Sequence, residues 1–148
     1  MDKTLKVEKI ENGTVIDHIT SGKAWEVVKI LGLEEYPDTI LLISNAPSKS
    51  QNKKDILKIE NKELKKDEVA ALALLAPSAS VNIIKKYEVH KKFRVEVPKV
   101  VEGLLKCTNP VCVTHSEPVK TRFSVESKDP LKLRCEYCER LQNDIDFL

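Results

Sequence analysis

Four cysteines, Cys107, Cys112, Cys135 and Cys138, fall in two close pairs, C-x4-C and C-x2-C, with 22 residues between the pairs. Two short-spaced thiolate pairs on separate turns can converge tetrahedrally on one Zn²⁺. Four thiolates leave no open coordination position, so the pattern predicts one structural ion per chain that cannot activate water. Two disulfides or buried free thiols are the alternative, and His115, three residues after Cys112, is a substitute for one ligand. The opening MDKTLKVEK has no signal-peptide core, and no apolar run approaches the ~20 residues that cross a bilayer. A cytoplasmic protein with reduced thiols is therefore expected, which argues against disulfides.

Size points the same way. The stretch from about residue 100 to 148 is near the length at which an apolar core alone is insufficient. Its strand candidates, VCV, RFSVES and LKLRC, leave little to bury between them. Structural zinc contributes on the order of 10–16 kcal/mol to folding in small metal domains. The reading is a small zinc-bound β domain over residues 98–148 that serves binding and assembly, preceded by a second domain over residues 1–97.

In that first domain, residues 4–10 and 14–19 alternate like strands around Asn12-Gly13, a two-residue hairpin signal. Ser21 is placed to cap a helix through Ala24, Val27, Val28 and Leu31, ending near Gly32. Thr39–Ile43 reads as a strand buried on both faces, followed by a polar stretch, Asn45–Lys53, and a strand over Asp55–Ile59. Asp67 and Glu68 open a second helix, apolar almost all round, that Pro77 stops. Ser80–Ile84 and Tyr87–Val89 form a last strand region, and residues 90–100 read as the connection between domains. With the hairpin as one unit, the order is β-α-β-β-α-β, an α+β, ferredoxin-like sandwich with two helices on one face of an antiparallel sheet. Its uncovered edges favour a dimer.

Charge narrows the partners. Basic residues number 25 against 23 acidic ones, divided 17 to 15 up to Val97 and 8 to 8 beyond it, and aromatics are 5%. A zinc-ribbon nucleic-acid binder would carry a basic excess and stacking residues, so that alternative is disfavoured. Asp17, His18, Lys54, Lys58 and Lys92 form the one cluster suited to an anion: Lys54 and Lys58, four apart, share a face if they lie in a strand. By residue type alone, the commoner reading of such lysines is a solvated face.

The wording of five segments goes further. GTVIDHI (13–19), KDILKIEN (54–61), LAPSASVNIIKKYEV (75–89), THSEPV (114–119) and LRCEYCE (133–139) occur in one order across nearly the whole chain. Through them the chain resembles the regulatory chains of aspartate carbamoyltransferase. The resemblance implies a non-catalytic chain of pyrimidine biosynthesis. Its N-terminal allosteric domain dimerises and binds CTP, ATP and UTP, and its zinc domain docks onto the catalytic chain. Carried over by position, Asp17 and Lys58 contact the ribose, and His18, Lys54 and Lys92 the phosphates. Ile10, Tyr87 and Val89 line the base, with Val7, Glu8, Asn82 and Ile84 around the pocket. Asn109 and Glu139 match residues used against the catalytic chain. TSGKAW after Ile19 and the stretch 90–100 follow the family only loosely, and Val111 stands where a second asparagine is common.

Overall fold

A computed structural model describes residues 9–49, 52–128 and 130–148. The chain divides between Val95 and Glu96 into two compact units. In the first, β1 (Gly13–Thr20), α1 (Ala24–Ile30), β2 (Ile40–Ser48), β3 (Asn52–Glu60), α2 (Lys66–Leu75), β4 (Ser80–Lys85) and β5 (Glu88–Arg94) follow in order. The strands form one antiparallel sheet ordered β2-β3-β1-β4-β5. Up to β4 this is the β-α-β-β-α-β arrangement expected from the sequence, and β5 extends it by one strand.

Strand β1 is the centre of the sheet, paired with β3 on one edge and with β4 on the other. The hairpin expected around Asn12-Gly13 is therefore not formed: both edges of its second strand are taken. Residues 4–8 of the expected first strand lie outside the described residues, and Lys9 and Ile10 are not in a strand. Gly13 answers a different need. Its φ is +143°, and a Cβ there would stand 2.1 Å from the carbonyl oxygen of Ile59. The glycine lets two backbones approach; it does not turn the chain.

One face of the sheet is dry. Thr14, Ile16, Leu57, Ile59 and Val81 are all at most 1% exposed. The residues between them, Val15, Ile56, Lys58 and Asn82, are only half-buried. Helix α1 touches both α2 and β3, so the helices cover the dry face. In α2, Ala71, Leu72, Ala73 and Leu74 are consecutive and all buried, as its all-round apolarity requires. Its start is capped by the Glu68 carboxylate, which accepts the Lys65 N–H at 2.9 Å. Pro77 follows its last turn.

Four expectations fail for local reasons. Among the described residues, strand β2 has only β3 beside it, and Ile40–Ile43 are half-buried, so it is an edge strand there and not one buried on both faces. The polar stretch after it is mostly strand, because β2 runs on to Ser48 past a bulge between Ile43 and Ala46 and β3 already starts at Asn52. Ser21 does not cap α1, since its hydroxyl donates to the Asn45 side chain. The buried carboxylate of Asp55 takes that role from β3, accepting the N–H groups of Gly22 at 2.9 Å and Ala24 at 3.2 Å. Finally, the first part of the expected connection, up to Arg94, belongs to β5, which returns from β4 through Lys86 and Tyr87. Their φ values of 52° and 68° make this a type I′ turn without glycine or asparagine.

The second unit holds β6 (Val100–Glu102), β7 (Arg122–Lys128), β8 (Leu131–Cys135) and β9 (Leu141–Gln142) in one antiparallel sheet of that order. Val101, Leu105, Phe123 and Leu133 form its dry core, each at most 2% exposed. RFSVES and LKLRC are strands as expected, whereas VCV is not: Cys112 leads into a 3-10 turn over Val113–His115. Among the described residues, no helix is long and apolar enough to cross a membrane.

Asp55 also accepts the Asn45 N–H at 2.9 Å and the Ser44 hydroxyl at 3.2 Å, and it is 1% exposed. Asp55→Ala leaves these four donors, of which the Ala24 N–H is buried, without their shared acceptor. It should lower the stability of the first unit by on the order of 3 kcal/mol. Urea unfolding followed by the fluorescence of Trp25, the single tryptophan and part of α1, measures this directly.

Candidate functional site

The open face of the first sheet collects most of the residues singled out in sequence. Lateral partners in a sheet point to one side, and here Lys58 lies opposite Val15, Val15 opposite Asn82, and Asn82 opposite Lys92. That row crosses four strands. Two steps toward the start of β1, Ile84 pairs with Gly13 and with Val89, and Tyr87 in the adjoining turn donates its N–H to the Glu11 carbonyl at 2.9 Å. Two steps the other way stand Asp17 and, across from Thr20, Lys54. Strand β1 thus has an apolar end at Ile84, Tyr87 and Val89 and a charged end at Asp17, His18 and Lys54. Roughly 13 Å separates Gly13 from Asp17 at the usual rise per residue.

At the charged end the register shifts between Ile16 and Ile19, so Asp17 and His18 occupy a bulge. His18 adopts φ 59°, and its N–H donates to its neighbour's carboxylate at 2.6 Å. The bulge re-aims the imidazole, whose Nδ1 lies 3.1 Å from the Ser80 hydroxyl and 3.9 Å from Asp17. Lys54 Nζ reaches the same carboxylate at 2.9 Å, with both side chains mostly shielded from solvent. Partial burial pushes the pKa of Lys58 below the usual lysine value, and Lys9 adds to this while Asp17 opposes it. Three lysines, one carboxylate and one imidazole on an uncovered face suit an extended anionic ligand with one apolar end. Ile10 is nearly fully buried, at 3% exposure, and Val7 and Glu8 lie outside the described residues.

The second unit brings its four cysteines together. Their sulfurs all lie within 4.8 Å of one another. Cys107 and Cys138 are 3.6 Å apart, and Cys112 and Cys135 are 3.8 Å apart. A tetrahedral ZnS₄ centre with bonds of about 2.3 Å puts its sulfurs about 3.8 Å apart. A disulfide would need about 2 Å, and all four cysteines are free. The donor set also asks for a cation. Burial pushes the Cys107 thiol up to about 12. It raises Cys138 too, but hydrogen bonds from the Arg140 amide and the Asn109 side chain outweigh it and bring that thiol down to about 6. Only a bound cation would hold all four as thiolates at neutral pH. The residues fit one zinc ion per chain, which would supply a closed structural crosslink.

His115 is not among the ligands. Its Nε2 lies 2.9 Å from the Cys107 carbonyl, which can only accept, so the ring holds the backbone of a ligand and not the metal. Asn109 caps the first cysteine turn, accepting the Val111 N–H at 3.2 Å. Glu139 follows Cys138 at φ 65°, with its N–H bonded to the Cys135 carbonyl at 2.8 Å and its side chain exposed. Two polar residues escaped the sequence reading, Asp55 and Gln142. Both are buried, and both act on backbone groups distant in sequence, which no local spacing announces. With zinc as the crosslink, Cys135→Ser should lower metal content below one ion per chain and unfold residues 98–148, while Trp25 fluorescence reports an intact first unit. Metal analysis beside far-UV circular dichroism checks both parts.

Residues 5–96 match the family described as "Aspartate carbamoyltransferase regulatory chain, allosteric domain", and residues 99–147 match its "metal binding domain". Among curated proteins, the "Aspartate carbamoyltransferase regulatory chain" of Methanococcus maripaludis is 55% identical over 146 residues, covering 98% of this chain and 97% of the relative. The protein of the same name from Pyrococcus furiosus is 53% identical, covering 97% and 96%. That of Methanocaldococcus jannaschii is 50% identical over 143 residues, covering 97% and 95%. These matches leave the zinc-ribbon nucleic-acid reading without support. With an allosteric and a metal-binding domain matched in order over nearly its whole length, the chain belongs to the aspartate carbamoyltransferase regulatory chain family, a family of regulatory and not catalytic chains.

Proposed function

We propose that the N-terminal domain, residues 1–97, binds nucleoside triphosphates on the open face of its sheet, with CTP, ATP and UTP as competing effectors. The observation that carries this reading is the polarity of β1: an apolar end followed by Lys58, Asn82 and Lys92, then Asp17, His18 and Lys54. The base lies at Ile84, Tyr87 and Val89, with Ile10 joining them by family position; Val7 and Glu8, assigned to the same pocket by family position, lie outside the described residues. The ribose meets Asp17 and Lys58. His18, Lys54 and Lys92 take the phosphates, Lys54 exchanging its Asp17 carboxylate for phosphate oxygens. Lysines serve here as point charges, and main-chain groups beside the base discriminate among nucleotides because a mismatched donor in a closed site is costly.

The zinc domain, residues 98–148, docks onto the catalytic chain of aspartate carbamoyltransferase. The cysteine turns hold Asn109 and Glu139 in fixed positions beside the metal ligands, which suits interchain hydrogen bonds. Two regulatory chains pair through their first units, a reading supported by the uncovered edges β2 and β5. The assembly works in the cytoplasm, where the thiols remain reduced. An effector shifts it only through different affinities for two quaternary states, typically ~1–3 kcal/mol.

Calorimetry tests the nucleotide site. A lost charge-assisted bond to phosphate costs ~1.5–3 kcal/mol, so Lys92→Ala should weaken CTP or ATP binding by roughly tenfold to a hundredfold. Unchanged affinity in the double variant Lys58→Ala, Lys92→Ala would refute the site. The docking assignment has its own test. Removing zinc from the complex with a mercurial should release catalytic chains, whereas substitutions at Lys58 and Lys92 should leave them bound. Size-exclusion chromatography distinguishes the two.

A further inference from the structure

Beside the cysteines, one uncharged side chain ties the two ligand segments together. Gln142 is only 8% exposed. Its Oε1 accepts from the Thr108 N–H at 3.0 Å and from the Thr108 hydroxyl at 3.2 Å. Its Nε2 donates to the carbonyls of Lys106 at 3.3 Å and Asp144 at 3.2 Å. A primary amide offers two donors and one oxygen with two lone pairs, so its whole capacity is used.

The partners matter more than their number. Lys106 and Thr108 are the residues on either side of Cys107, and Cys107 lies in neither helix nor strand. The backbone of Gln142 belongs to β9, opposite Leu133 of β8, and β8 ends at Cys135. One amide therefore joins the segment carrying the first thiol to the strand carrying the third, with no metal in the path. The approach to this segment is held separately, by the bridge between Leu105 and Phe147 and by the Lys106 N–H on the Asp146 carbonyl at 2.7 Å. At the ligand itself the clamps are Gln142 and the His115 ring.

We infer that Gln142 is a positioning residue of the metal centre, presetting the Cys107 segment so that its thiolate does not have to be ordered by the ion. This rests on the zinc reading given above. Groups that orient ligands without touching the metal typically change metal affinity by about tenfold to a hundredfold when removed.

The test uses the full chain loaded with zinc. Gln142→Met keeps length and apolar stem but removes all four hydrogen bonds. Val101→Ala, in the core of the same unit and paired with Phe123 of β7, serves as a control that weakens the fold without removing any of the Gln142 hydrogen bonds. Against a chromogenic chelator, Gln142→Met should give up zinc about tenfold to a hundredfold more readily than the unaltered chain. Val101→Ala, compared at a matched urea midpoint, should hold zinc nearly as well as the unaltered chain. With Co²⁺ in place of zinc, the ligand-field bands should change in Gln142→Met and not in Val101→Ala. Should Gln142→Met not fold, Thr108→Val removes only the exposed hydroxyl's bond and should shift zinc retention in the same direction by less. Equal zinc loss in Gln142→Met and the control, or no shift in any Gln142 or Thr108 variant, overturns the assignment while zinc stays in the unaltered chain. An unaltered chain that binds no zinc overturns the metal reading itself.

Discussion

The carboxylate of Asp55, sealed inside the first unit, decides which way the lysines of β3 face. It is held by four donors from the start of α1 and the bulge of β2. Side chains in a strand alternate, so fixing Asp55 inward together with Leu57 and Ile59 sends Lys54, Ile56 and Lys58 to the open face. A slip of one residue would bury both lysines and expose the carboxylate, at a cost no marginally stable domain can carry. The candidate anion site is thus a by-product of a register set on the other side of the sheet. The same bonds anchor α1, which has seven residues and would not persist alone.

The second unit solves a different problem. Its dry core is a handful of side chains between four short strands, too little to fix the long loop from Glu102 to Arg122. Thiols crowded within 4.8 Å of one another would repel as thiolates and gain little as neutral groups. A divalent cation turns that crowding into a crosslink, and amide clamps on the flanking backbone lower the ordering the ion has to impose. Asn109 and Glu139 sit on the same turns, so any surface they present is as rigid as the metal site.

What could be read from sequence alone depended on the range of the forces involved. The cysteine pairs and the second helix were legible because spacing and apolar periodicity are local. The order of elements was also legible, since the run around Asp55–Ile59 alternates and Pro77 stops the helix before it. Asn12-Gly13 misled because glycine serves a tight turn and a close backbone approach equally well, and only the neighbours of β1 separate the two. Apolar TILLI suggested a buried strand, yet β2 lies at the edge, where half-burial is enough. Ser21 is a good cap by type, but a buried acid from β3 took its place. Lysines on β3 and β5 looked solvated one at a time; strand pairing aligns Lys58 and Lys92 in one row.

The position of β1 has a consequence for synthesis. Among the described residues it is the first strand made and the central one, and its partners, β3 and β4, end at Glu60 and Lys85. At roughly 5–20 residues per second, Thr20 precedes Lys85 from the ribosome by about 3–13 s. During that interval β1 has two unpaired edges and an apolar face, the surface on which nascent chains misassociate. A strand this exposed gains from the polar residues that interrupt its apolar run. Asp17 and His18, later in the bulge of β1, put polar side chains into the waiting segment before there is any sheet for it to join.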